Sequence, residues 1–396
     1  MRTAIIGGGA AGFFLAINLK ELAPEMEVTI LERSQRPLSK VKVSGGGRCN
    51  CTNSFARVGD LSAVYPRGHR LLKRLLKQFS HEDAYDWFER HGVRLVIQDD
   101  DCVFPASQDS QTIIDCFLRE AHRHQISIRT GVKVNSLDDV QDYDFVAVCT
   151  GGSPRAEGLQ WLADAGHEIV QPVPSLFTLS IADRSFCDLM GLVVEGATVM
   201  IPSTKFRSEG ALLITHWGVS GPAILKLSSY AARHISDHAY QVPLSINWTG
   251  QRESVVMEVL QTIRAQHPQK QVQSIRPYGL QQRLWEYLLT KTLAGRAQNR
   301  WEQLSQKDLN RLTNALTNDA YQTSGRAAFR DEFVTCGGVA LSGVNPSTME
   351  SRHIPNLYFA GEVLDIDGIT GGFNFQAAWT TAYAVAHAIA ENRHPI

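Results

Sequence analysis

The chain has 396 residues, 43% hydrophobic and 20% charged, which is globular composition with enough length for two or three cored domains. A formal net charge of −1 excludes a global field drawing it to nucleic acid or membrane, so any such preference needs local patches. The seven cysteines (49, 51, 102, 116, 149, 187 and 336) include no CxxC and no Cys/His set spaced for zinc, so free thiols and no metal are expected.

The N-terminal MRTAIIGGG enters a strand at once and offers no signal-peptide pattern, and no apolar run is long enough to span a bilayer. The expected setting is therefore a reducing cytoplasm. Thr3–Ile6 reads as a short strand, Ala10–Leu22 as a helix with Phe14, Leu15 and Leu19 toward a sheet, and Val28–Leu31 as a second strand. Gly7-x-Gly9-x-x-Gly12 joins the first two. Gly7 permits the tight turn, Gly9 lets the main chain approach a pyrophosphate, and Gly12 lets helix and strand pack closely. The phosphates would sit on the unpaired N–H groups at the positive end of the helix that Ala10 opens. Glu32 closes the second strand, where a carboxylate accepts both hydroxyls of an adenosine ribose. An adenine dinucleotide is the predicted ligand.

A second glycine loop follows, SGGGRCNCTN at 44–53. Helical patterns run over roughly 69–79 and 81–91, the latter opened by a Ser80/Asp83 capping box. Strand-like VRLVI (93–97), a helix near 110–124 and a strand pair near 126–134 come next. DFVAVCTGG (144–152) is a buried strand whose end, at Thr150 and Gly151, is small enough to pass a cofactor. From about 173 short β-rich pieces suggest a barrel or sandwich, and 251–321 holds three amphipathic helices. FVTCGGVAL returns to β near 333, NLYFAGE (356–362) is another buried strand, and Gly372–Ala390 closes the chain as a helix. The predicted layout is α/β. A discontinuous nucleotide-binding domain (1–172 and 343–396) carries an inserted β-barrel domain (173–250 and 322–342) and a helical insert (251–321).

The chain end separates NAD from FAD. Gly361 and Glu362 suit the ribityl and pyrophosphate region, and the helix after Gly371-Gly372 presents N–H groups near Phe373, Asn374 and Phe375. Reduced flavin carries negative charge on one ring edge, which a helix N-terminus stabilises. FAD is the expected cofactor.

Together, VSGGGRCNCTN, VFPAS, THWGVSGPAIL and the block from TCGGVALSGVNP to GITGGFNFQAAW resemble the BaiN/RdsA family of NAD(P)/FAD-dependent oxidoreductases, also labelled aminoacetone-oxidase-family flavoenzymes. The resemblance implies a glutathione-reductase-type Rossmann FAD domain with a β-barrel domain and a helical insert. It places FAD contacts at Ala11, Glu32, Arg33, Lys40, Arg48, Val134, Glu362, Asn374 and Phe375. Bacterial members are associated with making dihydrouridine in large-subunit ribosomal RNA, others with steroid-ring reduction or amine oxidation. Cys51 departs from the family, where the position is commonly apolar, as does the basic character of one stretch.

On this reading Gly45, Gly46 and Gly47 admit the flavin ring, and Arg48 offers a fixed positive charge. Reducing an activated C=C needs hydride on one carbon and a proton on the other. Cys49 is a candidate for that acid, or else a small residue packed under the flavin. Asn50 would orient substrate or loop, and Cys51 would be passive. His216 is a second donor candidate or a structural hairpin residue. Asp365 and Asp367 are acid–base groups or turn formers, and Thr370 binds flavin or caps.

No second GxGxxG lies between 153 and 330, so NAD(P)H would bind transiently where the substrate later binds. Residues 264–330 carry eleven Lys/Arg against four acids. PRGHRLLKRLLK places Arg67, Arg70, Arg74 and Lys77 on one helical face, and Tyr278, Trp285, Tyr287 and Trp301 are available to stack on bases. Two partner classes follow: ribosomal RNA held by basic surface, or a small molecule in a closed pocket roofed by the insert.

Overall fold

The computed structural model describes residues 1–153, 155–326 and 334–392, so Arg330 and Phe333 lie outside the described residues. The chain divides into two compact units, Met1–Pro174 with Glu332–Ile396, and Ser175–Asp331.

The first unit is built on a five-stranded parallel sheet. Its order is Leu357–Phe359, Phe145–Val148, Arg2–Ile6, Glu27–Glu32, Ser127–Thr130. The strands are short and rich in Val and Ile because both faces are covered. The opening helix, Ala10–Leu22, is buried from Ala11 through Leu19, and the closing helix, Phe373–Asn392, packs along it. Phe14 bridges the two, 4.6 Å from the Trp87 ring and 5.1 Å from Trp379. This all-round burial fixes the glycine loop that the opening helix carries. A Cβ at Gly12 would lie 2.0 Å from the Gly7 carbonyl oxygen, so helix and loop meet as the spacing predicts.

Three local expectations change. The strand pair near 126–134 is a single strand, Ser127–Thr130, after which the chain turns at Gly131 and Val132 N–H donates to the Glu32 carbonyl at 2.9 Å. The helix expected over 69–79 stops at Leu75, because Phe79 turns inward to 3% exposure and Ser80 must cap the next helix, His81–Arg90. That capping box forms: Asp83 N–H donates to Ser80 Oγ at 3.2 Å, and Ser80 N–H to Asp83 Oδ2 at 2.7 Å. Finally, Val334–Val339 pairs with Ile169–Ser175, not with the barrel strands.

The second unit holds a closed six-stranded barrel, Val193–Met200, Arg207–Thr215, Gly218–Ser220, Leu179–Ile181, Asp319–Arg326 and Pro243–Asn247 in spatial order. Helices Glu253–Gln266, Gln282–Leu293 and Gln306–Thr317 share its core. Trp285 and Trp301 are fully buried there and are not available for base stacking. Tyr278 remains exposed and Tyr287 half-buried. Arg296 grips Asp308 with both guanidinium nitrogens (2.5 and 3.1 Å), while Ser305 caps the same helix on that carboxylate. No described helix is long and apolar enough to cross a membrane.

The hydrogen bonds from Arg296 hold the Asp308 carboxyl well below the usual carboxylate range. A depressed carboxylate stabilises the fold above its unfolded pKa of about 3.9, and that stability is lost as pH falls toward the folded value. Acid titration of unfolding should therefore show a steeper loss below pH about 4 in the wild type than in Asp308→Asn, whose stability is lower but flatter with pH. Parallel curves would refute this.

Candidate functional site

The first unit brings most of the expected site residues together. Gly9 is the N-cap of the opening helix in extended backbone, and no side chain caps that helix. The first-turn N–H groups at Ala10 and Ala11 therefore keep their capacity to bind an anion. Glu32 faces the loop: Gly8 N–H donates to Oε2 and Ser34 N–H to Oε1, both at 2.7 Å. Arg33 beside it is exposed, and Val134 follows the turn at Gly131 with 9% exposure.

The chain end meets this loop. A Cβ on Gly361 would come within 2.9 Å of the Ala11 methyl, so the terminal strand ends against the start of the opening helix. Glu362 lies among Lys40 (3.1 Å), Thr335 N–H (2.8 Å) and the glycines after Thr150, its Oε2 3.9 Å from a Cβ placed on Gly151. Thr150 is exposed.

The second glycine loop has three successive left-handed residues, Gly45, Gly46 and Gly47, at φ of 55°, 68° and 85°, and Cys49 at 60°. Only glycine runs through this region without strain. Next, four consecutive residues are clasped by the segment that starts the closing helix. The Asn50 amide, oriented so that its nitrogen donates to the Thr52 carbonyl (2.8 Å), accepts from Gly372 N–H at 3.2 Å. The Cys51 carbonyl accepts from the Trp379 indole at 2.8 Å. Thr52 Oγ1 donates to Gln376 at 2.6 Å, and Asn53 Nδ2 to the Gly371 carbonyl at 3.0 Å. These bonds tie Asn50 to its own loop and to Gly372.

Other predicted residues take different places. The Arg48 guanidinium lies over the Phe104 ring at 4.3 Å with Nη1 toward Gln108, so its charge is engaged on that ring and amide. Asn374 spends its amide on the loop before it, accepting from Gly368 N–H (2.8 Å) and donating to the Gly368 carbonyl (2.9 Å); its backbone N–H is what a ligand would meet. Phe375 stacks on Trp379 with the rings 8° apart. Cys49 has no exposed surface, its sulfur 4.0 Å from that of Cys51, and this geometry supports the packing alternative. Burial and the neighbouring thiol push Cys51 well up, which suits a passive role. His216 is exposed on the two-residue turn of a barrel hairpin in the second unit, edge-on to Trp217. Asp367 is fully buried and doubly bonded to Arg67, a structural ion pair.

Thr52, Gln376 and Trp379 were missed by sequence reasoning, and Arg67, expected on the basic helical face, pairs with Asp367 instead. A glutamine within the apolar face of the closing helix was the available signal: it is fully buried, and a buried amide needs partners. Among the described residues no group of three His, Cys, Asp or Glu is placed to hold a metal ion.

A glycine loop at a helix start, an acid at the second strand end and a terminal strand ending against that helix start define a Rossmann-type nucleotide-binding protein. Residues 1–388 match the family described as HI0933-like protein Rossmann domain, and the chain belongs to that family, which is one of flavin-dependent oxidoreductases. It is 29% identical to a ribosomal RNA dihydrouridine synthase of Escherichia coli, covering 96% of each chain. It is 28% identical to a 3-dehydro-bile acid delta(4,6)-reductase of Clostridium scindens, covering 98% of this chain and 99% of that one. Among solved structures, 3-ketosteroid delta1-dehydrogenase from Sterolibacterium denitrificans shares the fold with a TM-score of 0.51 at 10% identity, over 98% of this chain and 99% of that chain.

A Cβ at Gly372 would stand 2.2 Å from the Thr52 carbonyl oxygen, at φ of +89°. Gly372→Ala should therefore open the clasp and cost at least about 2 kcal/mol in unfolding free energy. Trp379→Phe keeps the ring but strands the Cys51 carbonyl, with an expected cost of about 1–2 kcal/mol. Denaturant titration reads both, and wild-type midpoints would contradict the clasp.

Proposed function

We propose that this chain binds FAD in its first unit, draws electrons from NAD(P)H, and reduces a uracil C5–C6 bond in large-subunit ribosomal RNA to dihydrouridine. The observation that carries the flavin part is a contrast among glycines. An added Cβ would meet nothing within 4 Å at Gly9, Gly46 or Gly47, yet would strike backbone at Gly7, Gly12 and Gly372. The open faces belong to the two loops framed by Glu32 and Glu362, which suits a long, flat dinucleotide.

FAD held there would supply a hydride to one carbon of a polarised double bond. The residues supply the rest. Ala10 and Ala11 N–H receive the pyrophosphate, and each Glu32 oxygen keeps a lone pair for a ribose hydroxyl beyond its backbone bond. Glu362, held by Lys40 and Thr335 N–H, faces the glycine-lined strand end as an acceptor. The N–H groups at Phe373, Asn374 and Phe375 offset negative charge on the ring edge. For the proton the sequence offers Cys49 and His216; Cys49 is buried against Cys51 and His216 is exposed on a turn of the second unit.

The uracil part is supported by the names of the E. coli relative and a Haemophilus influenzae relative, 26% identical over 97% of both chains. A second reading, reduction of a C=C bond in a small molecule, is favoured by the equally similar bile acid reductase. Mass analysis of ribosomal RNA from a deletion strain separates them. Loss of dihydrouridine, restored by the gene, supports the first; unchanged content rejects it in favour of the second. For the cofactor, Glu32→Ala should weaken FAD retention roughly tenfold or more, measured by flavin release on dilution, because a charged acceptor is lost. Wild-type retention would remove Glu32 from the site.

A further inference from the structure

We propose that the exposed basic stripe of helix His69–Leu75 and the turn after it is the surface that grips the RNA phosphates, an inference that rests on the RNA reading above. Arg70, Lys73, Arg74 and Lys77 stand at i, i+3, i+4 and i+7, all exposed, while Leu71, Leu72 and Leu75 on the other side are buried. Among the described residues none of the four has an ion-pair partner. Asp60 bonds Ser62 through both carboxylate oxygens, which first accounts for its lowered carboxyl, with the charges of His69 and Lys73 adding to it. Like charges three and four apart weaken a helix, a cost that only Lys73 and Arg74, in the last turn, offset in part.

The basic excess of the second unit is different in kind. Lys291 is paired with Asp319, Arg296 with Asp308 and Arg300 with Glu302, so part of the surplus visible in sequence is neutralised internally. Arg67, which the sequence pattern assigns to the stripe, is withdrawn to Asp367 instead. That withdrawal gives the stripe its location. The Arg67–Asp367 pair, the bond from Ile369 N–H to the Val64 carbonyl (2.9 Å) and that from Tyr65 OH to the Phe373 carbonyl (2.8 Å) fasten the basic helix to the loop leading into the closing helix. A strand held on the stripe therefore runs beside the loop that frames the proposed flavin site. From Arg70 to Lys77 the helix and turn span about 10 Å, room for roughly three phosphates of one strand.

The test uses the full-length protein and a protein-free transcript of large-subunit ribosomal RNA, with affinity measured over a range of salt. Replacing the stripe (R70Q/K73Q/R74Q/K77Q) should weaken binding at least tenfold and flatten the log–log salt slope by about 2, since each lost phosphate contact on a single strand contributes about 0.7. The same number of flavins per chain should be retained. R276Q/K307Q/R311Q in the second unit should leave affinity and slope as in the wild type. R70E/R74E, at two exposed positions, gives the same readout should the quadruple variant fold poorly. Wild-type affinity and slope in the stripe variants, with wild-type protein binding the transcript, would overturn this proposal and leave the RNA reading standing. No binding by the wild type at low salt, with dihydrouridine unchanged in the deletion strain, would overturn both.

Discussion

The fold of the first unit depends on a clasp between two segments more than 300 residues apart. Asn50, Cys51, Thr52 and Asn53 each bond to a residue between Gly371 and Trp379, and Gly372 is pressed so close to the Thr52 carbonyl that no side chain fits. Each bond contributes only about 1 kcal/mol net, but leaving any of these buried groups unpaired costs more. The clasp therefore behaves as a unit. It ties the residues that follow a loop of three left-handed glycines to the amide-rich start of the closing helix. Two flexible elements become one rigid surface, as a site for a planar redox cofactor requires.

Much of this was legible in the sequence because its chemistry is local. GxGxxG between a strand and a helix, with Glu32 at the next strand end, states a nucleotide site in one stretch. The resulting bonds from Gly8 and Ser34 to Glu32 lie within that stretch. The Ser80–Asp83 capping box and the three helices of the second unit were legible for the same reason. The clasp was not. Thr52 and Gln376 are ordinary polar residues until the fold brings them together. Nor does spacing reveal that Arg67 leaves its neighbours to pair with Asp367, or that Val334–Val339 pairs outside the barrel. Helical periodicity places a residue on a face but does not say what lies opposite.

The thiols show how placement alters a chemical reading. Cys49 looks poised for acid catalysis in the sequence, since it follows a glycine loop and an arginine. In the fold it is fully buried against Cys51, and Arg48 lies over Phe104. Burial raises Cys149 to about 12, which leaves that thiol inert. The chemistry proposed for this chain accordingly relies on main-chain amides and a few carboxylates for holding the cofactor, and on the unpaired basic helix beside them for holding the substrate.

All of it presupposes that the two open glycine faces hold flavin. The direct measurement is the visible spectrum and flavin-to-protein ratio of freshly purified protein, repeated after adding FAD. The account predicts a yellow protein with stoichiometric FAD that NAD(P)H bleaches. A colourless protein that takes up no added FAD would contradict it.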